Sequence, residues 1–348
     1  MWIDFSSKKR IIFSFLEKEE KKENEWKKSI FSFLKNWYDN KPIILSMTSG
    51  TTGFSKIISL RKKHMYKRAV KTVEFLKLKK KGIKGLLCLS PDFIAAKMFL
   101  VRAIIFKWKI YCVPPSSNPL KNIKEYFFDI TSMVPIQVFS SLEYLKNIKI
   151  ILIGGCSISN FLEKKLKNIS TICYATYGMT ETSGHIAIKK INGPNKSIFY
   201  ESFQDVILSV DNRNCLRVFS SYCMDSFFQT NDIVHMISKN TFIWIGRYDN
   251  VINSGGIKIS PELIEKEISS FIPYEKRFFI SSIPDKILGE KVILIIEGKP
   301  FSLHIPNSIF NGKKKFYKPK SIFFISHFTD NLLNKFRRKE IIKRIIKT

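Results

Sequence analysis

Apolar positions in the first forty residues recur at helical spacing. Ile12, Phe13, Leu16, Trp26, Ile30, Phe33 and Leu34 form a stripe through a Lys/Glu-rich segment, which predicts helix over residues 8–39, ended by Pro42. The apolar run at 43–47 reads as a strand. A basic helix follows over about 62–78, then buried strands at 86–89 and 110–113 with helix between them. After a proline-rich loop at 114–119, a strand at 149–153 runs into Gly154-Gly155, and helix begins again over 161–166. Alternation of this kind predicts an α/β sheet with crossover helices.

Beyond Tyr177 the texture changes. Short apolar runs at 207–210, 216–219, 234–237 and 242–245 are split by turn residues such as 211–214, the pattern of a β-meander. Past Asp249 a compact unit follows: a Gly-Gly turn, helix over 261–270, strands near Phe278 and at 292–296, and a basic terminal helix from about Leu333. The expected fold is a large N-terminal α/β domain, residues 1–246, with a parallel sheet and a β-rich part. A small α+β C-terminal domain covers 247–348.

Composition narrows the class. Apolar residues make up 45% of 348, and a chain of this length holds one large core or two unequal ones. The apolar runs are too short to cross a bilayer, which needs about 20 residues, and the first residues lack the basic-then-apolar layout of a signal peptide. The six cysteines are scattered with no C-x-x-C pair, which reads as reduced thiols in a cytosolic protein. Net charge is +30, from 59 Lys and Arg against 29 Asp and Glu. Charge of that size raises nucleic-acid binding as a reading. However, lysine, isoleucine, phenylalanine and asparagine are over-used together, and the lysines spread over the whole chain. That is the mark of A/T-rich codons, so no specific nucleic-acid partner is expected.

Three stretches carry chemistry. Thr48-Ser49-Gly50-Thr51-Thr52-Gly53-Phe54-Ser55-Lys56 offers freed backbone N–H groups, hydroxyls and one ammonium, a nest for polyphosphate without Walker A spacing. The plainer alternative is a Ser/Thr-rich surface turn. In Tyr177-Gly178-Met179-Thr180-Glu181 the tyrosine can stack on adenine, the threonine hydroxyl can meet an α-phosphate, and Glu181 can hold Mg²⁺ between phosphates. A lone carboxylate in a phosphate site needs a bridging cation; otherwise it is a salt-bridged turn residue. The third stretch runs from Asp232 through Gly246-Arg247-Tyr248-Asp249 to Gly255-Gly256.

In this order the three stretches resemble the core motifs of the acyl-adenylate-forming enzymes, which include acyl-CoA synthetases, luciferases and peptide-synthetase adenylation domains. The resemblance implies that 48–56 grips the β- and γ-phosphates of ATP and that Gly154-Gly155 borders the adenine and acyl pocket. It implies that Asp232 accepts from both ribose hydroxyls, with Arg247 as the second ribose contact, and that Asp249 is the hinge of a mobile C-terminal domain. Gly255-Gly256 would line the thiol tunnel. Residues 329–338 fit the family's terminal pattern with Lys335 as the catalytic lysine. The sequence departs from the family at Ser55, where proline is usual, at Thr329 and Asn334, which replace its proline and glycine, and in the blurred stretch 91–96. Catalysis would rest on Lys56, Thr180, Glu181 and Lys335, with ATP and Mg²⁺ bound and CoA as co-substrate.

Within the family, the early position of the phosphate loop and the stretches 89–95, 115–120 and 246–258 resemble compact bacterial o-succinylbenzoate–CoA ligases of menaquinone biosynthesis. An aromatic dicarboxylate needs an apolar slot with a polar or cationic end, for which Lys97, Ser183 and His185 are the candidates. Other readings remain: a ligase for another acid or for a carrier-protein thiol, a basic nucleic-acid-binding protein, and a non-catalytic relic.

Overall fold

Parallel strands need crossover connections, and the first half of the chain supplies them. The structure is a computed structural model describing residues 1–9, 12–14, 24–47, 56–222, 224–329 and 338–347. Strands β4 (Lys84–Leu87), β5 (Lys109–Cys112), β6 (Phe128–Met133), β7 (Ile148–Ile153) and β8 (Ile172–Met179) lie parallel in the order β5-β4-β6-β7-β8. β1 (Trp2–Asp4) adds antiparallel to β5 at one edge. At the other edge the sheet turns antiparallel through β9 (Gly184–Lys190), β10 (Tyr200–Ser202), β14 (Thr241–Arg247), β13 (Phe228–Ser238), β12 (Cys215–Ser220) and β11 (Val206–Val210). The expected parallel sheet and meander are therefore one continuous sheet.

Helices cover its faces because their apolar stripes need a partner. α1 (Glu25–Tyr38) buries Ile30, Phe31, Phe33 and Leu34. α2 (Lys62–Phe75) buries Met65, Ala69 and Val73. α3 (Ile94–Ile105) is buried along most of its length, from Ala96 to Ala103. These pack with Phe99, Trp108 and Ile110 into one core, and Leu86, Phe128, Ile151 and Leu162 belong to a second on the opposite side. The short helices α4 (Pro135–Ser140) and α5 (Asn160–Leu166) follow β6 and β7. Of the helix expected over 8–39, the described part comprises residues 8–9, 12–14 and 24–39, the last holding α1; residues 10, 11 and 15–23 lie outside the described residues. Strands β2 (Ile43–Met47) and β3 (Ile57–Arg61) pair as a separate two-stranded sheet, joined by a segment outside the described residues.

The chain leaves the large sheet at Arg247, passes through a 3-10 turn at Tyr248–Asn250 and enters a smaller α+β domain. There β15 (Ile252–Ser254) and β16 (Ile257–Ile259) form a hairpin beside β18 (Gly289–Glu297). β17 (Phe278–Asp285) pairs with β18 antiparallel, and β19 (Ser321–Ile325) pairs with it in parallel. α6 (Pro261–Ile268) and α7 (Arg338–Lys347) accompany this sheet. The observed α7 begins at Arg338; the segment 330–337 before it lies outside the described residues.

One ion pair ties α2 to the meander. Arg68 Nη2 donates to Asp205 Oδ2 at 2.9 Å and to Ser220 Oγ at 3.0 Å, and Ser220 Oγ donates to the same carboxylate at 2.5 Å. Both charged side chains are almost fully buried, at 1% and 2% exposure. Removing one partner leaves the other charge without compensation in a medium that cannot solvate it. Arg68→Ala should lower the free energy of unfolding by about 3–5 kcal/mol, read by urea denaturation; a loss under 1 kcal/mol would show that Asp205 finds water or another cation.

Candidate active site

The parallel half of the sheet meets the antiparallel half at β8 and β9, and the turn between them carries the candidate chemistry. Pairing shifts register between Tyr177 and Gly178, a β-bulge. At Gly178 the backbones come so close that a Cβ would sit 2.3 Å from the Gly184 carbonyl oxygen, so only glycine fits. The Thr182 hydroxyl locks the turn: it lies 3.1 Å from the Met179 amide, which donates to it, and 2.6 Å from the Gly184 carbonyl. Ser183 takes a left-handed conformation with φ of 55°. The expected single turn is thus the end of a strand, Tyr177 to Met179, followed by a turn that holds Thr180 buried and Glu181 half-buried.

Glu181 and Ser183 line a cleft of ≈240 Å³ whose other walls come from β3, the start of α2 and residues 224–228. Arg61 and Asp225 pair across it at 3.0 Å. An octahedral cation such as Mg²⁺, which keeps several of its waters, needs only one or two protein carboxylates beside phosphates. Glu181 at the cleft wall fits that demand, while among the described residues no group of three or more His, Cys, Asp or Glu side chains could hold a metal ion alone.

Behind the turn, Tyr177, Asp232 and Arg247 form one polar chain. The Tyr177 hydroxyl donates to Asp232 Oδ2 at 2.7 Å, and Arg247 Nη1 lies 3.7 Å from Asp232 Oδ1. Asp232 and Arg247 are direct partners across β13 and β14, so strand register alone places them together. Burial and the Asp232 carboxylate push the Tyr177 phenol well above its ordinary range, keeping it a donor. Arg247 also donates to Asp249 at 2.6 Å, and Asn231 donates to the other oxygen of Asp249 at 3.0 Å. Burial opposes the Arg247 charge, but Asp249 and Asp232 outweigh it and raise its pKa. The Tyr177 ring meets Phe242 edge-on at 5.1 Å.

Gly154 and Gly155 follow β7 at the carboxyl ends of the parallel strands, and the Gly154 amide donates to Met133 O at 3.1 Å. Cys156, next in the chain, is exposed, whereas Cys88, Cys112, Cys173 and Cys215 are buried. Gly255 and Gly256 have φ of 57° and 80° and join β15 to β16 as a two-residue turn that requires positive φ at both positions.

The three candidate acid contacts part company. Ser183 lines the cleft. Lys97 is buried, and its ammonium donates to Ser46 Oγ and to Asp92 O, each at 3.1 Å, so it braces the strand that leads to residue 48. Burial lowers its pKa to about 8. His185 Nε2 lies 2.9 Å from Thr72 Oγ1, whose proton goes to Arg68 O; the ring nitrogen is therefore the donor. Burial, with Arg102 and Arg68 nearby, holds His185 well below its ordinary pKa, so it is neutral. Lys56 is exposed just before β3. Residues Thr48, Ser49, Gly50, Thr51, Thr52 and Gly53, together with Lys335, lie outside the described residues.

Sequence reasoning missed the buried cations behind the turn. Arg102 is 2% exposed, burial lowers its pKa to about 9, and its Nε has no hydrogen-bond partner among the described residues. Its place within the apolar run of α3 was the available signal.

Comparison with known proteins accords with this geometry. Residues 6–201 match the family described as AMP-binding enzyme. A 2-succinylbenzoate–CoA ligase of Lactococcus lactis is 26% identical over 240 residues, 64% of this chain and 53% of that protein. The chain therefore spans about half the length of that curated relative. An acyl-CoA synthetase (AMP-forming)/AMP-acid ligase II-like protein from Dyadobacter fermentans is 30% identical, with a TM-score of 0.61 covering 93% of this chain and 95% of that one. An o-succinylbenzoate CoA synthetase from Bacillus subtilis, solved with its acyl-adenylate intermediate, shares the fold at 20% identity and a TM-score of 0.71, covering 85% and 68%.

Lys97 gives a test of the local structure. Between pH 8 and its ordinary 10.5 the unfolded chain keeps a proton the folded chain has released, so stability rises with pH across that window. Below it, the cost of burying the charge is fully present. In Lys97→Met this pH dependence should vanish, so urea denaturation should show the variant at its greatest relative advantage at pH 7.5 and losing ground by pH 9.5. Parallel pH profiles would mean that Lys97 is solvated.

Proposed function

The chain belongs to the AMP-binding enzyme family, and on that premise we propose that it is an acid–CoA ligase acting on o-succinylbenzoate. The reaction joins the acid to CoA at the expense of ATP, releasing AMP and diphosphate through an acyl-adenylate, as a step toward menaquinone. The observation that carries this reading is the convergence of Tyr177, Asp232 and Arg247 with Gly154-Gly155 and Glu181 near the carboxyl ends of β7 and β8. The carboxyl ends of the strands are where open α/β sheets bind nucleotides. Relatives bearing the o-succinylbenzoate name support the acid.

In this reading the polar chain receives ribose, with Asp232 exchanging its Tyr177 and Arg247 contacts for the sugar hydroxyls. Thr180 meets the α-phosphate, Lys56 and residues 48–53 hold the outer phosphates, and Glu181 holds Mg²⁺. Mg²⁺, when bound, would neutralise charge on the phosphates. Lys335 would bridge the acid's carboxylate and the α-phosphate, aligning attack and offsetting the charge that develops there. We place the domain boundary at 246/247 with Asp249 as hinge, so that the small domain turns between the two half-reactions and presents Gly255-Gly256 to the thiol.

Incubated with ATP and CoA, o-succinylbenzoate should release AMP and diphosphate, whereas fatty acids and acetate should do so poorly. Turnover of a different acid in the panel would keep the ligase and replace its substrate; no AMP with any acid would remove the enzyme reading.

Lys335→Ala should lower adenylate formation by at least 100-fold, on the order expected for loss of a group that stabilises transition-state charge, while thioester formation from supplied acyl-adenylate continues. Equal losses in both half-reactions would assign Lys335 a structural role. Glu181→Gln should raise the Mg²⁺ concentration needed for half-maximal rate, and an unchanged metal dependence would move the metal elsewhere.

A further inference from the structure

A second cleft lies at the opposite end of the parallel strands. The amino-terminal residues of β4, β6 and β7, with the turns that precede β4 and β7, enclose ≈470 Å³, more than the ≈240 Å³ beside Glu181. Lys80, Lys81 and Lys84 supply one wall; Lys146 and Lys149 supply the other. Asp129 is the one acidic side chain in the lining. Its Oδ1 accepts from Lys149 at 2.7 Å and its Oδ2 from the Lys84 amide at 2.9 Å. Partial burial opposes its charge, but these donors and Lys80 hold its pKa below the usual carboxylate range. Asp129 is thus ionised and fully engaged, and five lysines face one carboxylate.

The lysines are spread evenly along the sequence, yet the fold gathers five from two separate segments, 80–84 and 146–149. Like charges so close repel one another, and a cleft with low-dielectric walls focuses their field outward. An anion seated there relieves that repulsion. The cleft also has an apolar platform: Phe127 is 68% exposed at its rim, beside the buried Phe128. An aromatic face so exposed next to a cationic hollow suits a planar ring attached to phosphates, with the ring offset-stacked on Phe127. The volume lies in the range of small-ligand sites, about 300–1,000 Å³, which suits one nucleotide and not an extended strand.

We propose that this cleft binds a polyphosphorylated nucleotide, its phosphates among Lys80, Lys81, Lys84, Lys146 and Lys149 and its base against Phe127, at a site separate from the nucleotide site described above. The site stands whether or not o-succinylbenzoate is the acid.

Equilibrium dialysis of the full chain with radiolabelled ADP tests it, with inorganic tripolyphosphate as a competitor that lacks a ring. The native protein should bind two ADP per chain. Lys81→Glu combined with Lys146→Glu should weaken one of the two at least ten-fold and leave the Asp129–Lys149 pair in place. Lys81→Ala with Lys146→Ala should weaken it less, which guards against a variant that misfolds. Asp232→Ala should weaken only the other. Phe127→Ala should weaken ADP about five-fold at the second site while sparing tripolyphosphate, a difference worth about 1 kcal/mol of ring stacking. ADP binding, at one site or two, that neither lysine pair weakens overturns the proposal, whereas a single site lost with the lysine pairs and kept in Asp232→Ala overturns only the nucleotide site described above. An ADP affinity indifferent to Phe127 overturns the nucleotide assignment in favour of inorganic polyphosphate.

Discussion

The missing side chain of Gly178 is the constraint on which this architecture rests. Two backbones pass so closely there that no Cβ fits against the Gly184 carbonyl. That approach lets β8, the last parallel strand, turn directly into β9, the first antiparallel one, without leaving the sheet. From it follow the position of Glu181 at the cleft wall, the reach of Tyr177 to Asp232, and the continuity of a parallel sheet with a meander. A larger residue would push the strands apart and separate the two halves of the site together.

Much of the fold was legible because periodicity survives a biased composition. Isoleucine, phenylalanine and lysine serve as well as other apolar and polar residues in marking a helix face, so α1, α2 and the α/β alternation stood out. The small domain's hairpin was marked by Gly255-Gly256, where both residues need positive φ. Strand β6 escaped notice because Asp129, Thr131 and Ser132 interrupt its apolar run, although Thr131 is buried and its hydroxyl donates to Leu86 O. The long β13 was seen only in part, since Asn231 and Asp232 look like loop residues until Tyr177 and Arg247 provide partners.

The site was legible where its residues form a run and opaque where the fold assembles them. Tyr177 to Glu181 can be read as a string; the pairing of Asp232 with Arg247 exists only through strand register. In a chain with 59 Lys and Arg, a buried Arg68 or Arg102 looks like any other basic residue. His185 shows the converse. A lone histidine four residues after Glu181 invites a functional role, yet its ring nitrogen is committed to Thr72.

The distribution of thiols has a practical consequence. Burial raises the pKa of Cys88, Cys112 and Cys173 to about 12, so none presents a thiolate at neutral pH. Cys156 is the exposed thiol among the described residues, directly after Gly154-Gly155 and close enough to Tyr274 of the smaller domain to influence its phenol. Tyr274 stacks on Phe139 and meets Phe161, both on the larger domain. With Cys223, which lies outside the described residues, replaced by serine, a maleimide fluorophore at Cys156 would sit at the seam between the domains, where its emission would follow the packing of those rings.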